Sequence, residues 1–450
     1  MGIAGPLVLL VSMAVSLLSL RWGAMLYLFG SLIFPNLRFG GELSVRFELI
    51  FCLWLVFAFF VKCAVSKKPL NWNPILTIYT IFAIVIFVST TYSLVVATNQ
   101  VTSLTDLLIS YYGIIRPLLV MILFANMPIH EKMVWSILRA FIWLIFPIAF
   151  LSIGQVLGIS LLAHVTEFGY SSPWRAPVSR LLSEYGFIVR STGVFESPVY
   201  NAVYFLLSLA LVWYLLLSNI RANLVHKWVL YLLMGLIILA GVTTLTSTFF
   251  LGIIFLILVS SFLIGRKHPR AFFQFALTSL LVVGVSTALL FPYLLNQSAF
   301  AGTLSHKIQQ IYSGAIFSSR YSSTDGILAG TYTAILERPF LGWGLIRATR
   351  DVFVGDSIYV SILYQSGLIG LALFLWLIFS VLKHMWRMRA RMGISSVIGW
   401  VGFLWTLVFL ITGLGSPSFF VLRIEEWYWA LVGISLNSYF RLASSYRRYS

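Results

Sequence analysis

The stretch PILTIYTIFAIVIFVSTTYSLVVA, residues 74–97, runs without a single charged residue. At a rise of about 1.5 Å per residue, a helix of this length is able to cross the roughly 30 Å hydrocarbon core of a bilayer. Runs of the same kind lie on both sides of it along the chain. We predict further membrane spans at 45–65, 108–128, 133–157, 199–218, 227–245, 247–265, 272–295, 358–382, 394–414 and 426–440.

The composition excludes a soluble globular protein. Hydrophobic residues make up 60% of the 450 and charged residues 10%, whereas a soluble domain carries about 25% charged residues. Segment 5–34 is also apolar but is interrupted by Arg21, Trp22 and Gly23, so it forms either one long tilted helix or two short ones. We therefore predict an all-α polytopic membrane protein with twelve or thirteen spans. Cys52 and Cys63 share one apolar stretch and suit packing better than a disulfide or a zinc site.

Lys and Arg are concentrated in one of the two alternating sets of loops. This set includes Lys67-Lys68, the 266–270 and 383–391 segments and the tail after residue 440. With nearby helix-end residues it holds 18 basic residues and one acidic residue, against 11 basic and 12 acidic on the other side. Because basic loops stay in the cytoplasm, we predict a bacterial inner membrane protein with a cytoplasmic C-terminus. The same bias accounts for the net charge of +17, so no nucleic-acid partner is required.

Two connections on the predicted outer side, 158–198 and 296–357, are much longer than the others. Long loops are usually functional, so we expect the active site there, within a single membrane domain spanning 1–450. In the second loop, residues 323–325 offer a helix start, and Arg338-Pro339 stops it. The apolar positions between them predict an amphipathic helix lying on the outer membrane surface. We find no internal repeat, and uneven loops argue against the matched halves of many transporters.

The first long loop ends in RSTGVFESP, residues 190–198, just before the span at 199–218. An arginine and a helix N-terminus are both suited to phosphate binding. Arg190 is therefore a candidate phosphate ligand. An interfacial anchor paired with Glu196 is the equally weighted alternative.

The second long loop carries Arg320, Arg338, Arg347 and Arg350. Several cations near the membrane surface are able to hold a pyrophosphate and to stabilise it as it leaves. Ordinary salt bridges, such as Arg350 with Asp351, are the alternative. Asp356 precedes the span at 358–382, where it is either an N-cap or a general base whose pKa the arginines adjust. The two roles are compatible.

Arg116 lies inside the span at 108–128, next to Pro117. A charge at that depth is costly and is by default a functional hypothesis, although the side chain could instead snorkel to the outer interface. No histidine falls into a motif. Nucleotide-binding glycine loops, a serine nucleophile elbow and a zinc helix are all missing from the sequence. We therefore expect no metal, no nucleotide and no other cofactor.

The segments RSTGVFESP (190–198), ERPFLGWG (337–344), DSIY (356–359) and QSGLIG (365–370) together resemble the O-antigen polymerase and O-antigen ligase superfamily. The resemblance extends over nearly the whole chain through the order of its parts, with a large outer loop before the last few helices. It implies a GT-C-like, metal- and nucleotide-independent inverting glycosyltransferase. Such enzymes transfer a glycan from undecaprenyl pyrophosphate to a sugar hydroxyl.

By position, the resemblance makes Arg190 and Arg320 the first candidates for pyrophosphate binding, supported by Arg347 and Arg350. Two departures bear on the activity. Ligases commonly have His-Asn where this chain has Asp356-Ser357, which favours a Wzy-type polymerase of O-antigen, capsule or exopolysaccharide. Many members also have an arginine where this chain has Thr248.

The implied partners are the undecaprenyl-pyrophosphate-linked oligosaccharide donor and acceptor, membrane lipids and a chain-length regulator protein. An O-antigen ligase acting on lipid A-core is the first alternative. A lipid-linked oligosaccharide flippase or other transporter is the second.

Overall fold

A computed structural model describes residues 4–39, 43–67, 69–96, 103–170, 180–183, 186–217, 225–260, 329–346, 357–421 and 423–437, with short pieces between 262 and 313. Most of this part is helical. The helices are α1 (Ala4–Leu18), α2 (Leu20–Ile33), α3 (Phe47–Ser66), α4 (Pro74–Val96), α5 (Leu104–Asn126), α6 (Glu131–Val156), α7 (Ser160–Tyr170), α8 (Pro198–Leu217), α9 (Lys227–Val242), α10 (Ser247–Ser260), α11 (Ala329–Glu337), α12 (Ile358–Met388), α13 (Ile394–Thr412) and α14 (Glu425–Leu436).

Seven of the described helices are long and apolar enough to cross a membrane: α3, α4, α5, α6, α8, α12 and α13. This confirms a helical, membrane-embedded chain. The total of twelve or thirteen spans and the sidedness stay predictions, and the span at 272–295 falls almost entirely outside the described residues. Segment 5–34 forms two short helices, because the backbone becomes extended at Ser19.

Two short antiparallel hairpins accompany the helices. Strands β1 (Leu37–Phe39) and β2 (Leu43–Val45) pair with Leu37 opposite Val45. Strands β3 (Arg180–Ser183) and β4 (Gly186–Val189) pair with Arg180 opposite Val189. The all-α prediction did not include them, since strands of three or four residues offer little alternation to detect. The second hairpin ends immediately before Arg190.

The chain divides into two compact units, and the single membrane domain with its active site in the two long loops stays a prediction. Unit 1 comprises residues 1–58 and 130–311, and unit 2 comprises 59–129 and 312–450. Each unit is assembled from two separate stretches of chain. The boundary between residues 58 and 59 falls inside the apolar run of α3, so no local sequence pattern marks it.

In unit 1, α8 is the central helix. Every residue from Asn201 to Leu216 is buried, and α8 packs against α6, α9 and α10. A helix that is apolar on all faces belongs in an interior of this kind. Elsewhere in the unit, α1 and α3 are joined by a 2.9 Å hydrogen bond from Trp54 Nε1 to Ser16 Oγ.

In unit 2, α14 packs along α5, and α12 packs along α4 and α13. Asn437, which follows α14, donates from Nδ2 to the carbonyl oxygens of Phe124 (2.9 Å) and Met127 (2.6 Å). The end of α14 is thereby attached to the end of α5. This arrangement sets the position of the residues at the start of α14.

Helix α11 forms the last part of the predicted loop helix and ends at Glu337, as the Arg338-Pro339 stop signal indicated. Its position on the outer membrane surface stays a prediction. Its predicted starting residues 323–325 lie outside the described part. Ala334 and Ile335 pack against Val360 and Tyr364 of α12, while Leu336 is 78% exposed. One apolar side of α11 therefore packs on protein.

Candidate functional site

Residues 190–193, here called the Arg190 segment, lie in unit 1 where three helical elements meet. Ser191 N donates to the Thr243 carbonyl in the α9–α10 turn at 3.1 Å, and Thr243 Oγ1 bonds Ser191 Oγ at 2.9 Å. Ser191 is completely buried. The residues just before α8 are thus attached to the α9–α10 turn.

Gln155, near the end of α6, holds the middle of the Arg190 segment. Its Oε1 accepts from the backbone N–H of Thr192 at 2.9 Å and of Gly193 at 3.3 Å. Its Nε2 lies 3.2 Å from Thr192 Oγ1. Gln155 is 2% exposed, so these bonds form away from solvent, where an unpaired N–H is expensive.

Asn201, in the first turns of α8, holds the segment from the other side. Its Nδ2 donates to Ser152 Oγ at 3.0 Å and to the Ser191 carbonyl at 3.3 Å. Gly193 has φ +55°, and a Cβ there would meet Ser152 Oγ and Asn201 Oδ1. The glycine is therefore required both by the backbone conformation and by the lack of space.

Arg190 itself is partly exposed and donates from Nε to the Thr244 carbonyl at 3.0 Å. Nε–H is one of the donors of the planar guanidinium fork. The contact orients the fork on a backbone that is itself fixed by hydrogen bonds. The alternative partner, Glu196, forms an ion pair with Arg46.

Arg116 is completely buried in unit 2. Its guanidinium forms ion pairs with Glu425 and Glu426 of α14, the second at 3.2 Å. Both carboxylates are about 1% exposed. The snorkelling interpretation is therefore wrong, because the side chain is enclosed. The phosphate-ligand interpretation gains no support, since two carboxylates already engage the cation.

The sequence analysis counted Glu425 and Glu426 among the acidic residues of the outer side and started the last span at 426. Helix α14 begins at Glu425, one residue earlier, so both carboxylates belong to its first turn. Charged residues in the first turn of a helix are easily assigned to the preceding loop when spans are located from apolar runs. Their partner, Arg116, also lies about 300 residues away in the chain. The usable signal was the intramembrane arginine, which requires a nearby acid.

The connection between α13 and α14 is mostly buried although it is not an α-helix. Ser418 Oγ lies 2.7 Å from both Thr412 Oγ1 and Ser416 Oγ. Arg423 is 2% exposed and has φ +74°, an uncommon backbone conformation for a residue with a side chain. Helix α14 is 12 residues long, about 18 Å. Helix α14 is thus shorter than the roughly 20 residues that a membrane span needs.

The segments 337–344 and 365–370, two of those that carry the family resemblance, are hydrogen-bonded to each other in unit 2. Helix α12 is interrupted at Gly367, where φ is +62° and ψ is −163°. The backbone of residues 338–344 binds this interruption: Trp343 N and Gly344 N donate to the carbonyls of Tyr364 (2.7 Å) and Gln365 (2.8 Å), and Leu368 N donates to Pro339 O at 2.8 Å. The broken helix thus regains partners for backbone groups that the interruption leaves without their helical hydrogen bonds.

Arg338, one of the arginines of the second long loop, contacts two aromatic rings and a serine. It lies over the Trp343 ring at 3.9 Å and the Tyr92 ring at 5.5 Å. Its Nη1 donates to Ser93 Oγ at 2.7 Å. These contacts attach the 338–344 segment to α4. Arg338 therefore serves to hold this segment in place.

The remaining predicted site residues Asp356, Arg320, Arg347 and Arg350 lie outside the described residues. Immediately after Asp356, the N-cap position of α12 belongs to Ser357, so the helix begins one residue later than an Asp356 cap requires. Ile358 N donates to the Gly413 carbonyl at 2.9 Å. In the part of the chain that the structure describes, no three side chains of His, Cys, Asp or Glu come together as a metal site.

No protein-family model and no curated protein sequence matches this chain. The functional argument therefore starts from the residues and their geometry.

Proposed function

We propose that this chain is a membrane glycosyltransferase that polymerises oligosaccharide repeat units carried on undecaprenyl pyrophosphate. The reaction takes place on the outer face of the bacterial inner membrane, and its product is an O-antigen, a capsule or an exopolysaccharide. The helical architecture would be of the GT-C type. The acceptor is a second lipid-linked repeat unit.

The observation that carries this proposal is the fixed geometry of Arg190. Its backbone neighbours are bonded to α6, α8 and the α9–α10 turn, and its Nε is bonded to Thr244. The loop charges predict that these helix ends face the outside. A preorganised cation at that surface supports binding of an anionic lipid headgroup, since no reorganisation is needed as charge develops.

The chemistry needs few protein groups, because pyrophosphate is already a good leaving group. An acceptor hydroxyl attacks the anomeric carbon of the donor, and the bond from that carbon to the pyrophosphate oxygen breaks. The anomeric configuration inverts in this single displacement. Asp356 accepts the hydroxyl proton. Undecaprenyl pyrophosphate leaves with its charge neutralised by arginines, and Arg190 is the candidate among the residues that the structure describes.

Polymerisation in cells tests this function directly. The native strain lacking the gene is complemented with wild type, with Arg190→Ala or with Arg21→Ala, which removes an exposed arginine of unit 1 on the predicted cytoplasmic side. We expect Arg190→Ala to yield single repeat units at wild-type protein level, while Arg21→Ala yields full-length glycan. Full polymerisation by Arg190→Ala would remove the main support for the proposal.

A transporter of lipid-linked oligosaccharide is the second candidate, and one observation favours it. The Arg116–Glu425–Glu426 cluster places three ionisable groups inside the helices, and such groups often mark transport pathways. Movement of a fluorescent lipid-linked oligosaccharide across proteoliposomes without any change in glycan length would favour transport. A ligase is distinguished by adding lipid A-core as the acceptor.

A further inference from the structure

Gln155 has no part in the reaction as proposed, yet both ends of its carboxamide contact the Arg190 segment. One carboxamide oxygen accepts from two successive backbone N–H groups, those of Thr192 and Gly193. Two converging donors define the position of both peptide planes. These two peptide groups join Ser191 to Thr192 and Thr192 to Gly193, and the N–H of Ser191 bonds separately to the Thr243 carbonyl.

The direction of the Arg190 side chain depends on this backbone. Its Nε reaches the Thr244 carbonyl at 3.0 Å, a distance that a small shift of the segment would lengthen beyond hydrogen-bonding range. Without the Gln155 oxygen, two buried N–H groups would lose their acceptor. The segment would then shift to find other partners, because leaving both unpaired is costly.

We propose that Gln155 is a positioning residue that fixes Arg190 for binding of a polyprenyl pyrophosphate headgroup. This inference rests on the proposed function for the identity of the ligand. The positioning itself is a property of the folded chain and can be measured without any ligand. Gln155 acts through the backbone of Thr192 and Gly193 and does not touch the substrate.

Hydrogen exchange tests the positioning. Gln155→Leu keeps the approximate size of the side chain and removes its hydrogen-bonding groups. We expect faster deuterium uptake in the peptide that contains residues 190–195 of Gln155→Leu in nanodiscs. The control Ile145→Ala removes a completely buried side chain from the same helix, about 15 Å earlier, and should leave that peptide unchanged. Unchanged uptake in Gln155→Leu, or equal uptake in both variants, overturns the inference whatever the function of the chain.

A double-mutant cycle tests the action through Arg190, with undecaprenyl pyrophosphate as the probe and its dissociation constant as the readout. We expect Gln155→Leu to weaken binding about tenfold in the wild-type background and hardly at all in Arg190→Ala. If Gln155 acts only by positioning Arg190, its replacement has no further effect once the Arg190 side chain is removed. Full additivity of the two changes means that Gln155 does not act through Arg190 and overturns the inference. A wild-type chain that fails to bind the probe refutes the proposed function instead, and the exchange experiment still decides the positioning.

Discussion

Replacing Arg116 by methionine removes the guanidinium that pairs with Glu425 and Glu426 and keeps a long apolar side chain. Both carboxylates then lie inside the helix packing without that cation. At the 3.2 Å distance to Glu426 and an effective dielectric constant of about 20, the attraction amounts to roughly 5 kcal/mol. Removing one partner of a buried pair typically costs about 3–5 kcal/mol. We expect Arg116→Met to lose about that much free energy of unfolding.

Unfolding in mixed micelles of mild detergent and SDS, followed by tryptophan fluorescence, measures this loss. Arg387→Met is the matched control, because Arg387 is an exposed arginine of α12 in the same unit. A surface substitution of this kind should change the free energy of unfolding by no more than about 0.5 kcal/mol. The difference between the two variants isolates the buried ion pairs from the general effect of removing an arginine.

A charge exchange then separates electrostatics from shape. Arg116→Glu combined with Glu426→Arg keeps one guanidinium and two carboxylates at the same three positions. We expect the double variant to be more stable than Arg116→Glu alone, since that single change puts three carboxylates together with no guanidinium among them. The reasoning is refuted if Arg116→Met is no more destabilising than Arg387→Met, or if the exchange recovers nothing.

Further predictions concern the interruption of α12 and the end of α14, with stability measured by the same unfolding assay. Gly367→Ala should cost about 1–3 kcal/mol or more, because φ is +62° and a Cβ would meet the Phe340 backbone; an unaltered midpoint would contradict the assignment of strain. Arg338→Ala should cost about 1–2 kcal/mol and shift tryptophan emission, because the cation leaves the Trp343 ring, and an unchanged spectrum would argue against that contact. Asn437→Leu should cost about 1–3 kcal/mol by leaving two backbone carbonyls without their donor, and a value within error of wild type would show that other donors replace it.

Much of the helical framework could be predicted from apolar runs alone. The span predicted at 74–97 is α4, Pro74–Val96, and the end of α11 follows from its proline signal. Runs of this kind report removal from water, into lipid or into the protein interior, so they need no knowledge of distant contacts. The division into two units depends on contacts between distant parts of the chain. The hairpins are local, but their strands are too short to show a detectable alternation.

The candidate sites were predictable in part. Arg190 and the Gly193 turn stand out locally, and Arg116 stands out as a charge in an apolar run. Their partners do not stand out in the sequence. Gln155 and Asn201 are single polar residues near helix ends, and Glu425 resembles loop sequence. The role of a polar residue in an apolar helix depends on which groups it contacts, and tertiary packing determines those contacts. The break at Gly367 was equally hidden, since an isolated glycine is common in membrane helices.

The most direct test of the central claim is polymerisation by the purified protein in nanodiscs, supplied with a synthetic undecaprenyl-pyrophosphate-linked repeat unit. We predict a ladder of longer glycans with chelator present and without added nucleotide, formed by wild type and lost in Asp356→Ala and Arg190→Ala. Release of undecaprenyl pyrophosphate should match the number of linkages formed. No elongation by folded wild-type protein that binds the donor would contradict the account, and transfer to added lipid A-core alone would make the chain a ligase.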